Sequence, residues 1–471
     1  MHERQSEQGL MEKLEKHDQQ HVLRWLDQLD EGGRERLLKQ LAGLNYDRLQ
    51  KLRMLIRTPT TAIAFGDVRP APIERLPVSE EEMEAEQTIY ARGRRALESG
   101  RVAMLTVAGG QGTRLGYDHP KGMYPISPLR EKSLFELFAE QILAARRRYG
   151  VLIPWVLMTS PDNDAETRRF FADNDYFRLG EENVRFFAQQ MNPILDTKGH
   201  LLGCEPDELL MGPDGHGGIF EAMDKSDVLD YLRSGGWDLL SYFQVDNPLV
   251  TVADERFLGH HVKQSADFSC KVIPKRDPDE GLGLAVHKSG RPAVVEYVDV
   301  PNEIASERLP SGKLRYRYGS IAIHIMDVPF AERLTAREGA LPWHIAHKQY
   351  EIVNDEGERV TTDPEGCRKF ERFVFDALGF AERCAFVEVR RDRQFAPVKN
   401  AEGEDSPQSA RRLLQKMWLD WLKAAGAQFD PPADLTEPVI EISPLYAASA
   451  EQMKERFEPG REVTFPLLLE G

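Results

Sequence analysis

Six consecutive residues, Val102-Ala103-Met104-Leu105-Thr106-Val107, constrain this chain more than any others. The run is apolar with no polar alternation, the pattern of a strand buried on both faces, and such strands belong to parallel sheets covered by helices on either side. It breaks directly into Ala108-Gly109-Gly110-Gln111-Gly112-Thr113-Arg114-Leu115-Gly116. Glycines let a backbone approach a ligand closely and leave amide N–H groups to cradle phosphate. In open α/β sheets ligands bind beyond the C-terminal strand ends, where this turn falls. Arg114 and, within Pro120-Lys121-Gly122-Met123-Tyr124-Pro125, Lys121 add cations suited to a polyphosphate. No Gly-Lys-Ser/Thr follows the glycines, and Leu115 stands where a G-x-G-x-x-G motif needs its third glycine. A P-loop kinase or NTPase and a dinucleotide-binding turn are both excluded on that ground.

Further short apolar runs at 151–158, 184–188, 239–245, 268–273, 293–298 and 319–326 read as strands, with helical patterns between several of them, at 132–149 and 221–233 for example. Strands alternating with helices predict an α/β fold with a mostly parallel sheet. The first 98 residues read as a helical region. Val22, Leu23, Leu26 and Leu29, then Leu37, Leu38, Leu41 and Leu44, then Leu49, Leu52, Leu55 and Ile56 repeat at helical spacing. A proline-rich loop follows at 57–78, and Ser79-Glu80-Glu81-Glu82 opens another helix with a capping box. The expected divisions are a helical region at 1–98, a central α/β domain at 99–380 and a small C-terminal lobe at 381–471.

Composition narrows the function classes. The chain has 471 residues, 61 basic and 77 acidic side chains, and a formal net charge of −16. A broad basic face for nucleic acid is not expected, although a local basic site can still bind a small anion. Cys204, Cys270, Cys367 and Cys384 form no C-x-x-C pair, so a zinc knuckle or dithiol site is not expected, and so few thiols suit a reducing cytoplasm. The charged N-terminus has no signal-peptide core, and no apolar stretch is long enough to cross a bilayer.

The turn and the Pro120–Pro125 segment resemble the nucleotide-binding signature of eukaryotic-type UDP-sugar pyrophosphorylases, most of all the UDP-N-acetylhexosamine pyrophosphorylases. Counterparts follow in the family's order: Gln189-Gln190-Met191-Asn192-Pro193, Pro213-Asp214-Gly215-His216-Gly217-Gly218, Val245-Asp246-Asn247, Val294-Val295-Glu296-Tyr297, Lys369–Asp376 and Phe395-Ala396-Pro397-Val398-Lys399-Asn400. The resemblance spans about residues 85 to 425. It implies a Rossmann-like nucleotide-diphospho-sugar transferase sheet of GT-A-like type.

Each motif also has its own chemistry. Asp246 ends an apolar strand, and Mg²⁺ in phosphoryl chemistry is often held by one or two carboxylates plus substrate phosphates; the resemblance makes Asp246 the ligand of a Mg²⁺ or Mn²⁺ cofactor. Gln189 carries both donor and acceptor and can read an amide-like edge; the resemblance assigns it to uracil. The same resemblance assigns Ala108, Gly109, Gly110, Gly112 and Gly215 to the nucleotide, and His216, Glu296 and Ser320 to the sugar. Arg114, Lys121 and Lys399 are the expected catalytic cations. His324 and His347 read as packed histidines.

The reaction so implied joins UTP and a sugar 1-phosphate to give a UDP-sugar and pyrophosphate by in-line attack on the α-phosphorus. Such transfers need positioning and charge stabilisation more than covalent help. N-acetylglucosamine 1-phosphate is the expected sugar. His216 and Ser320 stand where the hexosamine enzymes carry asparagines, which leaves glucose and galactose 1-phosphates as alternatives. A non-catalytic nucleotide-binding module would have lost its charged residues, whereas Arg114, Lys121, Asp246 and Lys399 are all present. No nucleic acid or membrane partner is expected.

Overall fold

A computed structural model of the chain describes residues 2–58, 65–337, 339–354, 357–429 and 440–471. Residues 59–64 of the expected proline-rich loop lie outside the described residues. The chain divides into two compact units. One comprises Met1–Ala62, Gln190–Gly218 and Leu341–Val374; the other comprises Ile63–Gln189, Ile219–Ala340 and Phe375–Gly471. The boundaries expected at 98 and 380 are not those of the units.

The larger unit is built on a sheet of ten described strands: β1 Val68–Pro70, β2 Val102–Val107, β3 Trp155–Thr159, β4 Val184–Ala188, β5 Leu239–Gln244, β6 Phe268–Pro274, β7 Leu284–Lys288, β8 Arg291–Val295, β9 Tyr318–Asp327 and β10 Cys384–Glu388. The strand path is β1-β7-β9-β5-β2-β3-β4; β8 pairs with β7, and β6 pairs with both β9 and β10. Neighbours β5, β2, β3 and β4 are parallel, as are β6 and β10. The pairings of β9 with β5 and β6, and of β7 with β1 and β8, are antiparallel. The sheet is therefore mixed, with its parallel part carrying the glycine turn.

Several expected elements shift for local reasons. The 151–158 run pairs only from Trp155, after Pro154, which lacks an amide hydrogen to donate. The 293–298 run leaves the sheet after Val295, so Glu296 caps a 3₁₀ turn, Tyr297–Asp299, and is not a strand residue. The 221–233 helix is two helices, Ile219–Asp224 and Val228–Gly235. The capping box forms as read: Ser79 accepts from the Glu82 amide, and Glu82 accepts from the Ser79 amide.

Helix Leu134–Tyr149 buries Leu134, Phe135, Phe138 and Ile142 in one core with Met104, Trp155 and Phe243. Burying each such side chain stabilises by roughly 1.5–3 kcal/mol. The Trp155 indole N–H is satisfied inside that core by the Thr106 hydroxyl at 2.8 Å. Leu414, Trp418 and Leu422 of helix Pro407–Ala424, with Ile440 and Ile442, enter the same core. The residues expected to form a C-terminal lobe are thus continuous with the central sheet.

The smaller unit stacks helices His2–Lys16, Val22–Leu26, Glu31–Gly43 and Tyr46–Arg57. Leu14, Leu26, Leu37, Leu41, Leu49 and Leu52 share a core with Leu195, Leu201, Leu209 and Phe370 from the unit's other two segments. Short antiparallel strands join those two segments, Leu195–Asp196 with Cys367–Glu371 and Gly203–Glu205 with Glu351–Val353. No helix among the described residues is long and apolar enough to cross a membrane.

Candidate active site

The glycine turn leaves β2 at the C-terminal edge of the parallel strands. It doubles back on itself: the Lys121 amide donates to the Gly110 carbonyl at 3.0 Å, and the Gly112 amide donates to the His119 carbonyl at 2.9 Å. These bonds put the PKGMYP segment beside the glycines. The Ala108 carbonyl accepts from the Asn163 side chain at 3.0 Å, and Asn163 accepts in turn from the Ser160 amide at 2.8 Å. Asn163 is fully buried. In sequence, an asparagine just before helix Asp164–Asp173 looks like an ordinary cap and gives no sign of this role.

Gln189 follows β4, whose pairing with β3 brings it to the turn; its amide donates to the Thr159 carbonyl at 2.9 Å. A Cβ on Gly109 would stand 2.8 Å from the Gln189 side-chain nitrogen. Glycine at 109 thus leaves room for the Gln189 side chain, whose amide lies beside the backbone of the turn.

Asp246 lies two residues beyond β5. Its carboxylate is 3.8 Å from the Lys121 ammonium, both groups being mostly buried. The Asp246 carbonyl accepts from the Val398 amide at 2.8 Å, which brings the adjacent Lys399 to the same edge. The Lys399 amide donates to the Asp405 carbonyl at 2.7 Å. Burial raises the Asp405 carboxyl above its usual range, against the pull of the Lys399 ammonium, and the Asp246 charge adds to the rise. Arg114 sits exposed on the 3₁₀ turn Thr113–Leu115 and makes no ion pair among the described residues. Cations and a carboxylate thus gather where the glycines present their amides.

Ser320 lies near the start of β9, which runs antiparallel to β5, so it reaches the edge where β5 ends. Its hydroxyl is 3.1 Å from the Cys270 sulfur, and its amide donates to the Gly283 carbonyl at 2.9 Å. A Cβ on Gly283 would stand 3.9 Å from a Glu296 carboxylate oxygen, so Ser320 and Glu296 flank one glycine.

Gly215 and His216 belong to the smaller unit. Gly215 has φ +80°, and a Cβ there would stand 2.5 Å from the Arg372 carbonyl. The buried Arg372 forms an ion pair with the buried Asp214 and lies over the Trp343 ring. The Gly217 amide donates to the Arg372 carbonyl at 2.8 Å, so this pair holds the loop. Only the fold brings Arg372 to Asp214, 158 residues away in the chain. The Val374 amide donates to His216 Nδ1 at 3.0 Å, and the ring stacks on Phe373. Nδ1 therefore accepts, and the proton of the neutral imidazole sits on Nε2. Burial lowers the His216 pKa to about 4.

His324 is fully buried between the Tyr242 and Phe268 rings, a packed histidine as expected. His347 is not packed: it is exposed on strand His344–Lys348 and lies 3.7 Å from Glu365. Among the described residues no three His, Cys, Asp or Glu side chains gather as a metal cage. The Asp246 carboxylate at this edge fits Mg²⁺, which in phosphoryl chemistry takes its remaining ligands from water and substrate phosphates.

An α/β sheet with a glycine turn, cations and one carboxylate at its C-terminal edge defines a nucleotide-binding transferase. Residues 57–463 match the UTP–glucose-1-phosphate uridylyltransferase family, and the chain belongs to it. It is, with that family, a nucleotidyltransferase of the UDP-sugar-forming class. It is 34% identical to human UDP-N-acetylhexosamine pyrophosphorylase-like protein 1 over 502 residues, covering 99% of this chain and 97% of that one. It is 32% identical to the UDP-N-acetylglucosamine pyrophosphorylase of Saccharomyces cerevisiae, covering 88% of each. The solved UDP-N-acetylglucosamine pyrophosphorylase of Trypanosoma brucei, in complex with an inhibitor, superposes with a TM-score of 0.79 at 27% identity, covering 98% of each chain.

Proposed function

We propose that the chain transfers the uridylyl group of UTP to N-acetylglucosamine 1-phosphate, releasing pyrophosphate. An anionic oxygen of the sugar phosphate forms a bond to the α-phosphorus as the bond from that phosphorus to the β-phosphate bridging oxygen breaks. The attacking oxygen is already ionised, so no protein base is required. The observation that carries the reading is the single edge at which the Gly109–Gln189 contact and the Lys121–Asp246 pair meet.

The amides of residues 109–111 hold the phosphate and ribose side of UTP, and the Gln189 side-chain amide reads the uracil edge. Arg114 and Lys121 stabilise charge on the departing pyrophosphate, and Lys399 stabilises charge on the phosphates that remain bridged. Asp246 would hold Mg²⁺, which supplies charge neutralisation across the phosphates. Glu296 accepts from sugar hydroxyls, a role suited to an ionised carboxylate. Gly215 and His216 serve the base and the sugar. The four unpaired cysteines support a reducing cytoplasm as the setting.

The sugar assignment rests on the named hexosamine relatives. A second reading, glucose 1-phosphate, draws on His216, whose protonated Nε2 is a donor where the hexosamine enzymes carry an asparagine. Pyrophosphate release with UTP and the 1-phosphates of glucose, galactose, N-acetylglucosamine and N-acetylgalactosamine decides between them. We expect the highest kcat/KM with N-acetylglucosamine 1-phosphate. A higher value with glucose 1-phosphate would replace that assignment.

A further inference from the structure

Behind the phosphate edge lies an ion pair that the reaction does not use. Lys271, on β6, has a side chain 0% exposed. Its ammonium is 2.7 Å from the Asp254 carboxylate, 5.2 Å from the Phe257 ring centre and 2.8 Å from the Gln394 side-chain oxygen, to which it donates. Asp254 also caps helix Glu255–Gln264, accepting from the Phe257 amide at 3.0 Å. An ammonium taken wholly out of water is costly unless its donors are matched, so the three partners form one set.

From Gln394 the bonds run forward to the edge. The Gln394 side-chain nitrogen donates to the Thr251 hydroxyl at 2.7 Å, and its main-chain carbonyl accepts from the Asn247 side chain at 2.8 Å. The Asn247 side-chain oxygen accepts from the Ala396 amide at 2.9 Å. Two residues on, the Val398 amide donates to the Asp246 carbonyl. Segment 394–398 is thereby stitched along the end of β5, with Lys399 next in the chain. Lys271 sits where the pairing of β6 with β9 shifts register, between Cys270 and Val272, so the ladder itself is interrupted at that point.

We infer that the buried Lys271–Asp254 pair is a positioning device: through Gln394 it sets the 394–399 segment so that Lys399 and Asp246 stand at the phosphates together. The inference rests on the uridylyl-transfer reading for its catalytic consequence, but not for its structural one. Neither Lys271 nor Asp254 need touch substrate. Misplacing a charge by an ångström at such a centre costs orders of magnitude in rate while leaving binding of distant substrate parts intact.

The test uses the full chain with Gln394→Met, which removes the acceptor for Lys271 and the donor to Thr251 but leaves the Lys271–Asp254 pair together. Thr251→Val, losing one hydroxyl partner, is the milder second variant. Amide hydrogen exchange at Val398 and Lys399 is measured beside that of strand Val102–Val107, with kcat and the KM for UTP. Expected in Gln394→Met are exchange at Val398 and Lys399 faster by roughly tenfold or more, unchanged β2 amides, and kcat lower by roughly tenfold or more at a UTP KM within about threefold. Thr251→Val moves the same readouts in the same direction by less. Unchanged exchange at Val398 and Lys399, or a kcat falling only in step with loss of folded protein, overturns the inference. If the unsubstituted protein releases no pyrophosphate with any sugar 1-phosphate, the uridylyl-transfer reading falls instead, and the exchange measurement alone decides the positioning.

Discussion

The Lys121 ammonium stands 3.8 Å from the Asp246 carboxylate, although the two residues lie on different loops after different strands of the sheet. The Gly110–Lys121 backbone bond brings one partner to this meeting and the parallel pairing of β2 with β5 brings the other. In the free protein each charge is the other's neighbour. In the proposed reaction Lys121 would turn to the leaving phosphates and Asp246 to a cation. Lys121→Met should therefore lower kcat by roughly 10²–10³, the range for losing one preorganised charge donor. Asp246→Asn should raise the Mg²⁺ concentration for half-maximal activity by roughly tenfold or more, since it removes the carboxylate beside Lys121 that is proposed to hold the cation. Pyrophosphate release against Mg²⁺ concentration checks both.

Arg114 is exposed and unpaired among the described residues, so the fold does not depend on it. Arg114→Ala should cut turnover by roughly 10²-fold or more, while the unfolding free energy stays within about 0.5 kcal/mol of the unsubstituted protein. Turnover within twofold would remove Arg114 from the mechanism.

Gly109 and Gln189 make a sharper test of the nucleotide pocket. In Gly109→Ala the new methyl meets the far end of the Gln189 side chain at 2.8 Å, so the side chain is displaced and the backbone keeps its course. The KM for UTP should rise by roughly tenfold, about 1.4 kcal/mol of lost binding, with kcat at saturation changed little. The sugar 1-phosphate KM should stay as it was.

Gly215→Ala has the opposite character. The residue has φ +80°, and its new methyl would meet backbone, the Arg372 carbonyl at 2.5 Å, which cannot swing aside. Strain of this kind costs about 1–3 kcal/mol. Thermal or denaturant unfolding should show the loss, and Arg372→Met should show one of about 3–5 kcal/mol by removing the ion-pair partner of the buried Asp214 carboxylate.

His216 offers a pH test with a definite sign. Its folded pKa of about 4 lies below the ordinary value of 6.5. As pH falls below 6.5 the unfolded chain takes up a proton that the folded chain refuses, so stability is lost as pH falls from about 6.5 toward 4. The slope from this group approaches roughly 1.4 kcal/mol per pH unit. His216→Asn should flatten that part of the stability profile, read by denaturant unfolding at pH 7, 6, 5 and 4. Above pH 6.5 the two proteins should run parallel.

What was legible in the sequence was local. The buried run 102–107, the glycine turn after it, the Ser79 capping box and the strand ending before Asp246 all depend on residues within a few positions of one another, and each formed where it was read. Family motifs added Gln189, Glu296, Ser320 and Lys399 by position, without saying which residues of the chain they stand beside. Glu296 shows the limit: alternation along 293–298 looks like continued strand, but pairing with β7 ends at Val295. His347 shows another, since a histidine among apolar neighbours in sequence can still face outward from a strand.

The sequence by itself determined the fold class, the glycine turn after the first buried strand and the set of charged residues available to it. The tertiary structure alone decided which of them meet. Lys121 with Asp246, Gly109 with Gln189, Asp214 with Arg372 and Lys271 with Asp254 are all remote in the chain. Their proximity follows from strand order and register, which are fixed by the packing of whole sheet faces and not by any residue's immediate neighbours. For the same reason the segments of the smaller unit could not be foreseen. Helices from the N-terminus, a strand pair near residue 200 and another near residue 370 share one core because their apolar faces complete each other, a relationship that no single stretch of the chain carries.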